Sequence, residues 1–574
     1  MVSDERALAL QLAGLDDARL GEVLTTRAVS AGVAWRDFFD AAEGLLEAGS
    51  VDRALTRLPR AALAELAALA DGEDATLDAI PSSSQLLVGD ALPTAVAARV
   101  RRTREARPAA FSAPEGAPPP PATAAQEASA AERAFTSTGA LADLLLATEQ
   151  SPLSSTATGS ISASDRRRLL EAGIVEDAEA LDDLATIARA AGLIDTAERE
   201  ATVSDAGDRW LHLPTAERWE HAATGIVAAL PVGLRDRTGG IRAAADHAGA
   251  YPLDEDWPPV AAQWGRVLRR WGLLVDDDDA AAEPAWTRAL RDSGAITADA
   301  LRGHLPTEID KVYLQADLSV IAPGPLLPDL ELRLRGIAAR ESRAQASTYR
   351  FTAESLDAGL TDGETAEGIR AFLTGLSLTG IPQPLEYLLD STARRHGAVR
   401  VRTDDARALT VVEVDDDDRR EALSVDQALR PLGLVPEGKV LLTRAGRDAV
   451  SWALSDARYP VTMIGDDGRP TSPRRSRRPA PHDAAAPGRF DELIARLRAG
   501  HSTDSDEAWL QRELEQAVRA RAAIRVSVRM PDGTDRELTL EASGLGGGRL
   551  RGLDRAADVE RTLPLRSIVR VTPV

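Results

Sequence analysis

Leu63, Leu66 and Leu69 recur three residues apart behind Pro59, a residue that a first helical turn tolerates, and this spacing predicts one apolar helix face. The same texture runs from the start of the chain and predicts a helical N-terminal domain over 1–105. Periodicity then stops. Pro108, Pro114 and the run Pro118 to Pro121 favour extended polyproline geometry and offer little to bury, so 106–135 reads as a linker.

Between 136 and 305 the pattern becomes short helices broken by brief extended pieces. Ile161-Ser162-Ala163-Ser164-Asp165 opens one helix, and Leu181 to Leu193 supplies another that ends at Gly192. Val203 to Leu213 is short and apolar, with Trp210. Helix, helix, then a small strand pair is the rhythm of a winged helix, and a second such unit fits 216–305. That second unit carries Trp219, Trp257, Trp264, Trp271 and Trp286, of which Trp264 and Trp271 are seven apart and share a helix face. Core packing and base stacking both account for tryptophans in that setting.

At Lys311 the texture changes again. Val312 to Ala322 is strand-like and ends at Pro323-Gly324-Pro325. Helices are predicted near 329–343, 365–375 and 382–395, strands at 399–401 and 409–414, a helix at 425–432 and a strand at 440–443. Together they predict one compact α+β domain over 306–465. A polar linker follows at 466–488 and contains Arg474-Arg475-Ser476-Arg477-Arg478. The remainder, 489–574, reads as a helix over 489–520 and then strands. Ile524, Val526 and Val528 alternate, Pro531-Asp532-Gly533 makes a hairpin turn, and Leu538 with Leu540 keep the period of two. Gly544 to Gly548 is a further turn, Ile568 to Val574 closes the chain, and a small SH3-like barrel is the economical fold. The predicted class is multi-domain, mainly α with α+β.

Composition narrows the function. A chain of 574 residues divides into three to five domains. No stretch reaches the roughly 18 uninterrupted apolar residues of a membrane helix. The acidic start Met1-Val2-Ser3-Asp4-Glu5-Arg6 leads into an amphipathic helix rather than an export signal, which predicts a cytoplasmic protein. Without cysteine there is no disulfide framework, thiolate metal site or cysteine nucleophile. The net charge of −22 repels phosphate and argues against general coating of nucleic acid. A local basic face remains compatible with it, because exposed charges more than about 10 Å apart are screened.

The stretch Val312-Tyr-Leu-Gln-Ala-Asp-Leu-Ser-Val-Ile-Ala-Pro-Gly-Pro-Leu326, with Glu341-Ser342, Tyr349-Arg350-Phe351-Thr352 and Gly380-Ile381-Pro382-Gln383-Pro384-Leu385, resembles the N-terminal domain of XPB-type helicases over about 305–465. In those helicases the region precedes the ATPase lobes and is grouped with damage recognition and partner docking. Ile161 to Ile194 is similar to the winged-helix region that accompanies it. The final strands, through Arg561-Thr562-Leu563-Pro564-Leu565-Arg566-Ser567-Ile568, resemble the sheet portion of WYL domains, which sense ligands or nucleic acid. The chain has no Trp-Tyr-Leu triplet, which departs from that pattern.

Catalytic chemistry has no candidate. Gly433-Leu-Val-Pro-Glu-Gly438-Lys439-Val440 has the glycine and lysine spacing of a phosphate-binding loop, but that chemistry needs a strand before, a helix after and a Ser or Thr for magnesium. Pro436 removes an amide and Val440 cannot ligate metal. Gly544, Gly546, Gly547 and Gly548 miss the dinucleotide fingerprint, since Arg549 stands where the third glycine belongs. The seven histidines are never three to five residues apart, and the runs Asp276 to Asp279 and Asp415 to Asp418 lack EF-hand spacing, so no metal or cofactor is expected.

Basic positions remain. Arg166, Arg167 and Arg168 begin a helix near the winged-helix pattern, where phosphate contact and a plain solvated face both fit. Arg474, Arg475, Arg477 and Arg478 suit transient contact with nucleic acid or an acidic partner, or a solubilising tether. Arg394 and Arg395 end a helix and fit capping. The resulting expectation is a non-enzymatic, helicase-associated accessory protein of DNA repair or transcription. Its expected partners are DNA through local contacts and a separate helicase motor, with no membrane. A ligand-sensing transcriptional regulator and a pure protein scaffold are the competing expectations.

Overall fold

The computed structural model describes residues 4–573 apart from 114–117, 157–159, 198, 278–279, 343–345, 458, 460, 466–469, 472–487, 501–505, 531–532 and 556. The chain is multi-domain and about half helical, with several antiparallel sheets.

The first unit contains α1 (Asp4–Ala13), α2 (Asp17–Thr26), α3 (Phe38–Leu46), α4 (Ala48–Thr56), α5 (Arg60–Asp71) and α6 (Thr94–Ala106). Leu12, Leu24, Leu45, Leu63 and Leu66 meet in one core. Asp16 and Asp37 start α2 and α3 by accepting first-turn amide hydrogens, and Gly72 ends α5 in the left-handed conformation. Buried Arg27 donates to the Leu45 and Ser84 carbonyls and to Ser50 Oγ, and burial, aided by the Arg53 charge, lowers its pKa to about 10. A turn at Pro108–Phe111 seats Ala110 and Phe111 in the same core. The connection expected over 106–135 is confined to 112–122 on both counts, because a Thr123–Gln126 capping box starts the next helix at Ala124.

The second unit holds α7 (Ala124–Gln150), β1 (Leu153–Ser154), α8 (Ala163–Glu171), α9 (Ala178–Ala190), β2 (Ile194–Ala197), β3 (Glu200–Val203) and α10 (Asp205–Leu211). It continues through α11 (Thr215–Ala229), α12 (Trp257–Arg270), β4 (Val275–Asp277), β5 (Ala280–Ala282), α13 (Ala285–Ser293) and α14 (Asp299–Arg302), all around one core. Its first sheet has the order β1-β3-β2. The apolar piece running to Leu213 is helix α10 rather than strand, because Ser204 caps it by accepting from the Gly207 amide. The tryptophans are core. Trp219 and Trp271 each donate an indole hydrogen to the other's carbonyl, at 2.9 and 3.1 Å, while Trp210 and Trp286 donate to Arg218 and Gly272 carbonyls. At Gly225 a Cβ would lie 2.5 Å from Ala191 Cα, so glycine is what lets α11 cross the end of α9 this closely.

Residues 306–465 form two cores where one was expected. The first contains β6 (Tyr313–Leu314), β7 (Ser319–Ala322), α15 (Pro328–Ile337), β8 (Ala339–Ser342), β9 (Ser347–Arg350), α16 (Ala353–Thr361), α17 (Ala366–Leu376) and α18 (Gln383–Arg395). The second contains β10 (Val399–Asp404), β11 (Leu409–Val414), α19 (Asp417–Val425), β12 (Val435–Glu437), β13 (Val440–Thr443), α20 (Arg447–Asp456), β14 (Val461–Ile464) and β15 (Pro470–Thr471). Each sheet bonds within itself, as β6-β7-β9-β8 and as β12-β13-β11-β10-β14-β15. The helix expected to reach 343 stops at Ile337, because Arg340 pairs in register with Tyr349 on β9 and is drawn toward Asp143. The helix expected at 425–432 is a tighter turn over Gln427–Leu432 that contains Pro431, with α19 before it.

The helix expected over 489–520 is two helices that serve different cores. Leu493, Ile494 and Leu497 of α21 (Asp491–Gly500) enter the core of the first unit, and Arg498 donates to the Ala13 carbonyl at 2.6 Å. Leu514 and Ala517 of α22 (Asp506–Ala520) instead pack on β16 (Ala523–Arg529), β17 (Asp535–Gly546), β18 (Arg549–Asp554), β19 (Val559–Pro564) and β20 (Ile568–Pro573). That sheet has the order β19-β18-β17-β16-β20, is antiparallel throughout, and shifts register between Ala542 and Gly544.

Candidate nucleic-acid interface

The structure ties up most of the arginine run on α8. Arg166 makes a two-pronged pair with Asp182 of α9, at 2.8 and 3.2 Å, and donates to the Ala178 carbonyl. Arg168 pairs with Asp165 at 3.1 Å. Burial would raise the Asp165 pKa, but hydrogen bonds from the Ser154 amide, Ser162 and Arg168 hold it below the usual carboxylate value. Arg167 alone of the three is exposed and without a side-chain partner among the described residues. Arg474, Arg475, Arg477 and Arg478 lie outside the described residues. Arg394 and Arg395 do end α18, and Arg395 Nε donates to the Ser391 carbonyl.

The helices that a winged-helix reading assigns to a groove are unsuited to it. α9 follows α8 and precedes a strand pair, and α12 stands in the same relation to β4 and β5. The two helices pack on each other. Asp183 of α9 has no exposed surface, and Arg266 and Arg270 of α12 each lie 3.4 Å from it. Burial outweighs both guanidinium groups and raises the Asp183 pKa. The exposed start of α12 is Pro258, Pro259 and Val260, which offers no cation. Residues 122–305 as a whole contain 30 acidic residues and 17 arginines.

The C-terminal sheet has the opposite balance. Residues 521–574 contain ten arginines against seven acidic residues, a net of +3 in a chain of −22. Arg529, Arg555 and Arg561 pair with Asp535, Glu541 and Asp554. Arg521, Arg525, Arg536, Arg549, Arg551 and Arg566 are exposed and have no side-chain partner among the described residues. Strand alternation sets their direction: Arg549 and Arg551 flank buried Leu550, and Arg525 stands between buried Ile524 and Val526. The Leu565 amide donates to the Gly548 carbonyl at 2.9 Å, which brings the turn bearing Arg566 beside the start of β18. Arg549, Arg551 and Arg566 therefore gather at one end of the sheet. The signal in the sequence is arginine alternating with apolar residues, as in Arg549-Leu550-Arg551, rather than a continuous basic run.

The phosphate-loop spacing resolves into a hairpin. Gly433 follows a helical turn in the left-handed conformation, and Gly438 with Lys439 form the bend between β12 and β13. No helix follows to aim amides at a phosphate. Asp415 to Asp418 open α19, where Asp416 caps and Arg419 and Arg420 pair with Asp415 and Asp417. Among the described residues no three His, Asp or Glu gather as a metal cluster, and no helix is long and apolar enough to cross a membrane.

Residues 312–436 match a family model described as a helicase conserved C-terminal domain. The match falls within the stretch whose wording resembles a helicase N-terminal domain, and it spans parts of two cores. No curated protein matches the sequence. Among solved structures, proteasome accessory factor B/C (PafBC) of Arthrobacter aurescens is similar over 76% of this chain and 83% of its own, at 13% identity. Its TM-score of 0.12 is too low to bear on fold or function, so the helicase-type match over 312–436 is the comparison that carries weight.

Proposed function

We propose that this chain is a non-catalytic accessory protein of a helicase system, and that it touches nucleic-acid phosphates through the arginine-bearing end of its C-terminal sheet. In this reading 306–465 corresponds to the XPB-type accessory region, and 489–574 supplies an SH3-like contact module. The unit at 122–305 has winged-helix ancestry and serves as a rigid acidic hub.

The observation that carries the reading is the set of exposed, unpartnered arginines on a sheet of net positive charge in an acidic protein. Guanidinium groups without carboxylate partners keep their capacity for phosphate, and contacts to phosphate position a protein without selecting sequence. The test is a titration of labelled duplex and single-stranded DNA across salt concentrations. A surface making about three phosphate contacts gives a slope on the order of −3 on duplex DNA. Replacing Arg549, Arg551 and Arg566 with Ala flattens the slope by about two to three. Absence of binding at low salt to duplex, forked and single-stranded DNA would reduce the protein to a docking scaffold.

A further inference from the structure

Trp452 leaves 63% of its surface open on α20. Every other tryptophan whose burial is described is buried or half-buried. The helix explains the orientation: Val450, Ser451 and Leu454 turn inward, while Trp452 shares the outer face with Asp448 one turn before it and Asp456 one turn after. Both carboxylates are exposed. Asp448 has Arg447 at 3.7 Å, and Asp456 has no ion pair among the described residues. Ala449 and Ser455, both exposed and small, leave the indole accessible from the sides.

An indole held in water forgoes the burial that makes tryptophan a dominant interface anchor, and the core beneath α20 is complete without it. In a protein proposed to meet nucleic acid, stacking on a base is one use for such a ring. The charges argue against it, because a carboxylate on each side repels phosphate. A guanidinium suits all three groups. It stacks flat on an indole and pairs through two hydrogen bonds with a carboxylate. Along the helix the two carboxylates are about 12 Å apart, which an extended segment spans with arginines roughly four residues apart.

We propose that the Asp448–Trp452–Asp456 face of α20 docks an extended, arginine-rich segment of a partner protein. This surface is separate from the C-terminal sheet and opposite in charge, so it stands whether or not that sheet meets DNA.

The experiment titrates the full chain with a short labelled peptide alternating arginine and serine, a lysine counterpart, and oligothymidine. The same titrations are run on a chain with Arg474, Arg475, Arg477 and Arg478 replaced by serine, so that the peptide is the one arginine-rich segment in solution. The arginine peptide is expected to bind more tightly than the lysine peptide. Trp452→Ala, and separately Asp448→Lys with Asp456→Lys, each weaken it on the order of tenfold. Neither change alters the melting temperature, since all three side chains are exposed. Three results would each overturn the proposal: no arginine-peptide binding to either chain, binding that Trp452→Ala leaves unchanged, or oligothymidine binding that Trp452→Ala abolishes.

Discussion

The helix–strand unit at 122–305 and the sheet at 521–574 meet the same demand in opposite ways. The first repeats a helix-then-strand-pair order, yet α9 and α12 face each other and Arg166, Arg266 and Arg270 are paired with Asp182 and Asp183. The second has no reading helix at all, yet it keeps six exposed arginines without side-chain partners. The difference teaches that an arginine count says little until partners are assigned. Most of the seventeen arginines among 30 carboxylates have partners, whereas six of the ten among seven carboxylates have none among the described residues.

The severest test of the scaffold half is Asp143. This buried carboxylate of α7 pairs with Arg335 and Arg340 of the neighbouring core, and Arg340 also pairs with Glu331. Asp143→Ala leaves Glu331 as the one carboxylate beside both cations at that joint and is expected to cost about 2–4 kcal/mol, read from urea unfolding. A loss below 1 kcal/mol would show that the joint is wet and the hub loose. Gly225→Ala comes next, at about 1–3 kcal/mol, because its Cβ meets the backbone at Ala190 and Ala191.

The sheet should respond in the other currency. Arg549→Ala, Arg551→Ala and Arg566→Ala are each expected to change stability by less than about 0.5 kcal/mol, while together they flatten the salt slope. Appreciable destabilisation would mean that these arginines have structural partners after all.

A pH series sharpens the picture of the α9–α12 contact. Asp183 has a raised pKa in the folded protein, so it binds its proton more tightly folded than unfolded. The stability from this group is therefore present at acid pH and is lost as pH rises through the raised value. Asp183→Asn removes that dependence, so wild type should lose stability relative to the variant as pH rises above about 4, the ordinary aspartate value. A difference that is constant across the range would place Asp183 in water.

The smallest effect concerns α8. Arg166, Arg167 and Arg168 changed together to Ala should leave the DNA salt slope within experimental scatter, since two of the three already serve Asp182 and Asp165. A slope flattened by two or more would return the interface to this helix.

Much of the layout was legible in the chain. Leucine periodicity marked α5, the apolar run Leu181 to Leu193 marked α9, and alternation of Ile524, Val526 and Val528 marked β16. Structure and sequence pattern part where a polar residue or a long-range partner decides the outcome. Ser204 turned an apolar stretch into α10, and the pairing of Arg340 with Tyr349 cut α15 short. For the candidate interface, the sequence drew attention to clustered arginines because neighbours in sequence are easy to see. Arg549, Arg551 and Arg566 were hidden by the strand and turn that separate them.

The sequence by itself determined most of the local elements, the absence of thiol chemistry and the acidic balance, because each depends on residue identity or short-range spacing. Only the tertiary structure decided which charges are spent. Asp182 and Asp183 look like a solvated helix face in the chain, and become the partners of Arg166, Arg266 and Arg270 when α8 and α12 pack against α9. Trp452 is one of nine tryptophans by composition and stands out once the core beneath α20 closes without it. The physical reason is common to both. Pairing and burial act between residues that are distant in sequence, so their outcome is set by how the elements pack.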